Sequence, residues 1–159
     1  MQYHINSVEL NYHSWYKVKK PILMNTLSVR SDLSELNKIR AFLKRNMQVL
    51  HLTEEDYYII ELSLLEICIN IIRYAYPDEE TGEIFLKTWR EADRVYLEIR
   101  DNGIPFDPRH TKTPDIDEIM KTGKKGGLGV FLTRKLMDGF KYTREEDQNI
   151  LTIYKTFNS

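Results

Sequence analysis

The sequence predicts an α+β fold, a two-layer α/β sandwich in which helices cover one face of a mixed, mostly antiparallel sheet. The predicted strands come in runs, in the order β-α-α-β-β-loop-α-β-β, whereas doubly wound parallel sheets alternate single strands and helices. The 159 residues are 42% hydrophobic and 30% charged. This length and composition suit one domain with a full hydrophobic core.

The N-terminal part is predicted to be an arm followed by a strand. Residues 1–21 mix polar and aromatic residues without a clean period, which indicates an arm. The domain itself is expected to span residues 22–159. Residues 22–30 alternate between apolar and polar side chains, as a half-buried strand does.

Two helices follow this strand. Ser31 or Asp32 is a capping residue for the first, which has an apolar stripe and runs to about Asn46. Thr53 begins a capping-box sequence, and the second helix runs from there to about Tyr76, where a proline follows.

The second half of the chain is predicted to contain two hairpins and one helix. The four strands of these hairpins cover residues 83–90, 94–101, about 140–145 and about 149–157. Residues 102–125 form a long polar segment. A helix then begins in a glycine-rich stretch and runs to Asp138.

Charge and composition argue against several classes of function. The net charge is −1 and opposite charges are interspersed, so no direct nucleic-acid partner is expected. The single cysteine, Cys68, allows no internal disulfide, and the four histidines lack metal-ligand spacing. No secretory signal or membrane-length apolar run is present, so we expect no membrane partner and a cytoplasmic protein.

The second predicted helix carries a narrow polar stripe on an otherwise apolar surface. Ser63, Glu66, Asn70 and Arg73 follow one another at helical spacing. A thin solvent-facing edge would give the same pattern. A functional carboxylate and amide on a buried helix is the alternative, and the stripe alone favours neither.

Asp101 ends a strand whose inward residues are Val95, Leu97 and Ile99, and it shares their side of the sheet. A buried carboxylate needs a hydrogen-bond donor, because burial without one is costly. The alternative is a strand-end aspartate that turns into the Asn-Gly turn after it.

The glycine-rich stretch is "KKGGLGVFLTRKLMDGF", in which Gly126, Gly127 and Gly129 surround one leucine at a helix start. Glycine allows close approach to the backbone, and free N–H groups at a helix start bind anions such as phosphate. A tight turn or a helix cap uses the same residues. The P-loop pattern G-x-x-x-x-G-K-[ST] does not occur in this sequence.

In combination, these segments resemble the GHKL ATPase superfamily, which has the Bergerat nucleotide-binding fold. More narrowly, "ELSLLEICINIIRYAY", "DNGIPFDP" and "GGLGVFLTRKLMD" resemble the anti-sigma-factor serine/threonine kinases of bacterial partner-switching systems. The resemblance covers roughly residues 22–157.

The resemblance implies a role for each matching residue. It implies that Glu66 is the catalytic general base and that Asn70 binds the Mg²⁺ that bridges the ATP phosphates. Asp101 matches the residue that accepts a hydrogen bond from the adenine amino group. Gly103 matches the glycine that lets the base lie against the turn.

The phosphate side is implied in the same way. Residues 104–125 correspond to a mobile lid, and Tyr74 replaces a histidine that is frequent in the family. The implied phosphate-binding residues are Lys124, Lys125, Gly126, Gly127, Leu128 and Gly129.

The activity implied by the resemblance is that of an ATP- and Mg²⁺-dependent protein kinase. Such a kinase phosphorylates a serine or threonine of an anti-sigma-factor antagonist of the STAS type, sequesters a sigma factor and forms a homodimer. A catalytically silent ATP-binding module that regulates protein partners is the alternative. A histidine-kinase ATP domain is less favoured, since no dimerising phosphoacceptor helix is expected before it.

Overall fold

The fold is built on one sheet of five strands. The computed structural model describes residues 24–78, 81–123 and 127–157. The strands are β1 (Met24–Arg30), β2 (Glu83–Glu91), β3 (Arg94–Asp101), β4 (Gly139–Glu145) and β5 (Gln148–Thr156). Their order in the sheet is β1-β2-β3-β5-β4, and each of the four pairings in the described residues is antiparallel. The α+β class with a mostly antiparallel sheet is therefore confirmed.

Four α-helices accompany the sheet in the described part of the chain. They are α1 (Leu36–Asn46), α2 (Glu54–Tyr74), α3 (Ile116–Thr122) and α4 (Leu128–Leu136). Short 3₁₀ turns at Leu33–Glu35 and Pro108–His110 precede α1 and α3. No helix in the described ranges combines the length and apolar character needed to cross a bilayer. The predicted arm, residues 1–21, lies outside the described residues.

The core lies between the helices and one face of the sheet. The central helix α2 contributes Ile60, Leu64 and Cys68, and each is at most 1% exposed. From the sheet, Leu97 and Ile99 of β3 join the same cluster. Because β3 is the middle strand, its last residue, Asp101, has a paired residue on each side, in β2 and in β5.

The capping box predicted at Thr53 is confirmed. The Thr53 Oγ1 atom accepts a hydrogen bond from the Asp56 amide at 3.2 Å, and the Asp56 carboxylate accepts one from the Thr53 amide at 3.2 Å. Both bonds satisfy amides that the first turn of a helix leaves free. This cap therefore marks the start of α2, the helix that carries the polar stripe.

Three features differ most clearly from the sequence prediction. The polar segment 102–125 contains α3, which the Asp115 side chain caps by accepting from the Glu118 amide. A helix of this length has too few turns for a detectable apolar period. Helix α2 ends at Tyr74 rather than at about Tyr76, and the Ala75 carbonyl instead accepts from the Ile104 amide at 2.9 Å.

The third difference is the end of α4. The helix stops at Leu136 rather than at Asp138, because Met137 has an extended backbone and is buried. The Asp138 amide then donates to the Tyr154 carbonyl at 2.9 Å, so this residue already belongs to the edge of the sheet.

The cap gives a stability prediction. We expect Thr53→Ala to lower the free energy of unfolding by about 1 kcal/mol, since the Asp56 amide loses its acceptor. Urea denaturation followed by circular dichroism measures the change. Thr113→Ala, at an exposed loop position, is the matched control and should leave the unfolding midpoint unchanged. Equal midpoints for the two variants would contradict a role for the cap.

Candidate functional site

A pocket of about 150 Å³ opens between the C-terminal half of α2 and the end of β3. Its walls are mainly aliphatic, from residues such as Ile67, Ile71 and Ile99. Two of the predicted site residues, Asn70 and Asp101, line it together. An apolar cleft with a few converging polar groups is the usual form of a small-molecule site.

Asp101 is the buried polar group of this pocket, with 5% of its surface exposed. Its Oδ1 atom accepts hydrogen bonds from the Gly103 amide at 2.8 Å and from the Asn149 side-chain amide at 3.0 Å. Burial raises the pKa of Asp101, and the hydrogen bonds from Asn149 and Gly103 and the charge of Arg144 oppose that rise. Among the described residues, no group donates to Oδ2. This oxygen is the acceptor that a ligand can use.

Gly103 makes the turn after β3 fit against the end of α2. A β-carbon at this position would lie 2.6 Å from the Ala75 carbonyl oxygen and 2.9 Å from Oδ1 of Asp101. These separations are shorter than a nonbonded carbon tolerates, so no other residue fits without movement. The predicted contact of Gly103 with a base stays a prediction, and the close approach in this structure is to Ala75.

Asn149, on β5, is the functional residue that sequence reasoning missed. It is 5% exposed and lies opposite Asp101 in the β3–β5 register. Its Nδ2 group also donates to the carbonyls of Gly103 at 3.3 Å and Ile104 at 3.1 Å. A signal was available, because Asn149 has the same strand parity as the buried Leu151 and is an inward polar residue, as Asp101 is.

Glu66 and Asn70 lie one turn apart on α2, and each is partly buried. Neither side chain has a hydrogen bond or ion pair within residues 24–78, 81–123 and 127–157. Asn70 is part of the pocket wall, whereas Glu66 lies next to it, beyond the lining. These two polar side chains of the α2 stripe are therefore available to a ligand at or beside the pocket, because no described residue pairs with them.

Gly129 brings the glycine-rich helix against Glu66. A β-carbon at Gly129 would overlap the Glu66 carboxylate. The helix α4 thus packs on α2 with its first turn beside that side chain. A larger residue at Gly129 would require the Glu66 carboxylate, the far end of a flexible side chain, to move.

The start of α4 is described from Gly127 onward. Gly127 is the N-cap, with φ of 81° in the left-handed region, and Leu128 is the first helical residue. The left-handed conformation of Gly127 suits glycine, and the first amides of the helix that follows have no partner within the helix. Lys124, Lys125 and Gly126 lie outside the described residues.

The segment after the Asn-Gly turn covers one side of the pocket. Pro108 is buried and belongs to the lining, and Thr111 is held to α4 by a hydrogen bond of 2.9 Å from Arg134 to its carbonyl. The Arg109 guanidinium binds the Asp107 carboxylate, and this hydrogen bond lowers the pKa of Asp107. The predicted lid thus has a first part that packs on the domain.

Residues 29–155 match the family described as histidine kinase-like ATPase domain. This chain belongs to the histidine kinase-like ATPase family. The match includes the whole pocket, from Ile67 on α2 to Leu151 on β5. The predicted superfamily is confirmed, while the role of each site residue stays a prediction.

Relatives of this ATPase domain include proteins named serine-protein kinase RsbW. One from Bacillus cereus and one from Bacillus thuringiensis subsp. konkukian are each 30% identical over 101 residues, which is 61% of this chain. Another from Bacillus thuringiensis is 29% identical over the same length. The chain spans 62% of the length of these relatives. A serine-protein kinase is thus what this chain is similar to.

The geometry of Asp101 gives a binding prediction for this ATPase domain. In Asp101→Asn, Oδ1 still has to accept from Gly103 and Asn149, so the new amide NH₂ takes the position of Oδ2. This NH₂ group would then face the adenine amino group that the family resemblance predicts at this position, so that two donors would meet. We expect the affinity for ATP, measured by calorimetry, to fall at least about a hundredfold.

The control for this variant is Asp138→Asn. Asp138 also accepts hydrogen bonds, from the Thr156 amide and from Lys155, but it lies outside the pocket lining. Its ATP affinity should match that of the wild type. Unchanged ATP affinity in Asp101→Asn would remove Asp101 from the site.

Proposed function

We propose that this chain is an ATP-dependent serine/threonine protein kinase that acts as an anti-sigma factor in a partner-switching system. It phosphorylates an anti-sigma-factor antagonist of the STAS type and sequesters a sigma factor. Family membership over residues 29–155 supports ATP binding, and relatives named serine-protein kinase support the transfer reaction. Cytoplasmic location and homodimer formation are parts of the same proposal.

The pocket at Asp101 is the proposed adenine site. Adenine is planar and largely apolar on its faces, and it suits the aliphatic walls formed by residues such as Ile67 and Ile99. Its amino group donates to Oδ2 of Asp101, the oxygen that has no donor among the described residues. One strong hydrogen bond in an apolar cleft supplies both affinity and orientation.

Asn70 suits a role in binding Mg²⁺. Its side-chain amide has no partner among the described residues and lines the pocket, so its carbonyl oxygen is available. Mg²⁺ prefers oxygen ligands and retains water and substrate phosphates, so a single protein oxygen is sufficient. When bound, the ion neutralises negative charge on the phosphates during transfer. The amides at the start of α4, at Leu128 and Gly129, provide further donors for these phosphates.

The single observation that supports catalysis most directly is the position of the Glu66 carboxylate, which has no partner among the described residues and lies one turn before Asn70 and beside the start of α4. Glu66 accepts the proton of the serine or threonine hydroxyl. The hydroxyl oxygen forms a bond to the γ-phosphorus, the bond from that phosphorus to the β–γ bridging oxygen breaks, and ADP leaves. Gly129 leaves Glu66 the space for this position.

Replacing Glu66 distinguishes a protein kinase from a catalytically silent ATP-binding module. Glu66→Gln retains shape and polarity but removes the base, and base assistance is worth about 10²–10⁴-fold in rate. We expect transfer to slow by at least about a hundredfold in single-turnover assays with an antagonist and labelled ATP. ATP affinity should stay within a few-fold of the wild type, because Glu66 does not line the adenine pocket.

The matched control is Glu61→Gln on the same helix. Glu61 accepts a hydrogen bond from the Tyr57 hydroxyl at 2.7 Å, and a glutamine can retain that bond. Its transfer rate should equal that of the wild type. Transfer at the normal rate in Glu66→Gln would exclude Glu66 as the base. A wild type that phosphorylates no antagonist, while ATP still changes its affinity for a partner, would support the binding module instead.

Asn70 gives a separate prediction about the metal. Asn70→Ala removes the proposed ligand oxygen, so ATP affinity should fall about tenfold or more with Mg²⁺ present and much less with EDTA. Calorimetry under both conditions measures the difference. Equal losses with and without Mg²⁺ would show that Asn70 contacts the nucleotide rather than the metal.

A further inference from the structure

Arg144, on β4, reaches across β5 to the Asp101 turn. Its Nη1 atom donates to Oδ1 of Asn149 at 2.7 Å and to the Gly103 carbonyl at 3.1 Å. The side chain is 27% exposed, and its other contact is Asp147 at 4.0 Å. Arg144 is outside the pocket lining, so any effect on a ligand passes through the residues it holds.

The hydrogen bonds of Asn149 allow only one orientation of its amide. Its Oδ1 atom faces two donors, the Tyr142 hydroxyl at 2.7 Å and Arg144. Its Nδ2 group faces three acceptors, namely Oδ1 of Asp101 and the carbonyls of Gly103 and Ile104. A flipped amide would place its oxygen against three acceptors and its NH₂ against the Arg144 guanidinium, which can only donate, whereas the Tyr142 hydroxyl could accept from it. Arg144 therefore holds Oδ1 on its own side and, together with the three acceptors around Nδ2, determines which atom of Asn149 meets Asp101.

This orientation decides what Asp101 offers to a ligand. Because Asn149 donates to Oδ1, that oxygen is already engaged and Oδ2 is left as an acceptor in the pocket. An amino purine presents a donor and matches it. An oxo purine, such as hypoxanthine, presents a carbonyl oxygen, and two acceptors would face each other.

We propose that Arg144 is a positioning residue that makes this pocket select amino purine nucleotides over oxo purine nucleotides. It does so by orienting the Asn149 amide, which holds the Asp101 carboxylate with one oxygen free to accept. This inference rests on the proposed nucleotide site. It adds a specificity residue that lies on the edge strand β4, behind the pocket.

The positive charge of Arg144 also favours the binding of amino purine nucleotides. Burial raises the pKa of Asp101, and the positive charge of Arg144 is one of the influences that lower it. Without Arg144, the carboxyl group is more easily protonated and then carries an O–H donor. A protonated Asp101 matches the carbonyl of an oxo purine, so loss of Arg144 weakens amino purine binding selectively.

The test compares ADP with IDP, which differ only in the base and undergo no transfer. Calorimetry gives the ratio of the two dissociation constants for the wild type, Arg144→Met and Arg144→Lys. The wild type should prefer ADP, and Arg144→Met should reduce that preference by about tenfold, mainly through weaker ADP binding. Arg144→Lys retains the charge and one donor, so it should recover part of the preference.

Arg94→Met is the matched control. Arg94 lies over the Tyr154 ring at the other end of β3 and touches no residue of the Asp101 turn. For Arg94→Met, the ratio of the ADP and IDP dissociation constants should equal that of the wild type. Circular dichroism on every variant shows whether it is folded.

Several outcomes would overturn the inference. Arg144→Met could weaken ADP and IDP binding by the same factor, or it could leave both affinities unchanged. Either result would show that Arg144 does not determine specificity. A wild type that binds ADP and IDP equally would also overturn it while leaving the proposed nucleotide site intact, whereas a wild type that binds neither would contradict that site itself. Should Arg144→Met not fold, Arg144→Gln removes the charge and is too short to keep both hydrogen bonds, to Asn149 and to the Gly103 carbonyl. It should lower the preference about threefold, and an unchanged ratio would overturn the inference.

Discussion

The hydrogen bonds of one buried carboxylate, that of Asp101, organise the pocket. A carboxylate at the end of the middle strand is costly to bury, and two donors to Oδ1 reduce that cost. One donor is the Gly103 amide, which requires a turn so tight that only glycine fits beside Ala75. The other is Asn149, whose position depends on the pairing of β3 with β5. The fold thus places two donors on Oδ1, while Oδ2 has no donor among the described residues and is the proposed acceptor for a ligand.

The proposed phosphate side depends on a different constraint, the packing of α4 on α2. Gly129 allows the two helices to approach until the Glu66 carboxylate fills the space of a missing side chain. This contact keeps the carboxylate at the start of α4, where free amides attract negatively charged groups. Asn70 lies between the two regions, on the pocket wall and one turn from Glu66. A single helix thereby connects the proposed base, metal and adenine positions.

Local patterns made much of this predictable from the sequence. The Thr53 capping box, the hairpin of β2 and β3 and the inward direction of Asp101 each depend on residues a few positions apart. Strand parity also marked Asn149, but a single inward amide in a strand is common. The contact of Arg144 with Gly103 was beyond prediction, because it requires β4 to pair with β5 and β5 with β3. The overlap of Gly129 with Glu66 likewise depends on how two distant helices pack.

The most direct test of this account is a crystal structure of the protein with a non-hydrolysable ATP analogue. The account predicts the adenine ring in the pocket, with its amino nitrogen about 2.7–3.2 Å from Oδ2 of Asp101. Oδ1 of Asp101 should still accept from Gly103 and Asn149. A nucleotide whose base lies elsewhere, or whose amino group is bound by a different acceptor while Oδ2 stays free, would contradict it.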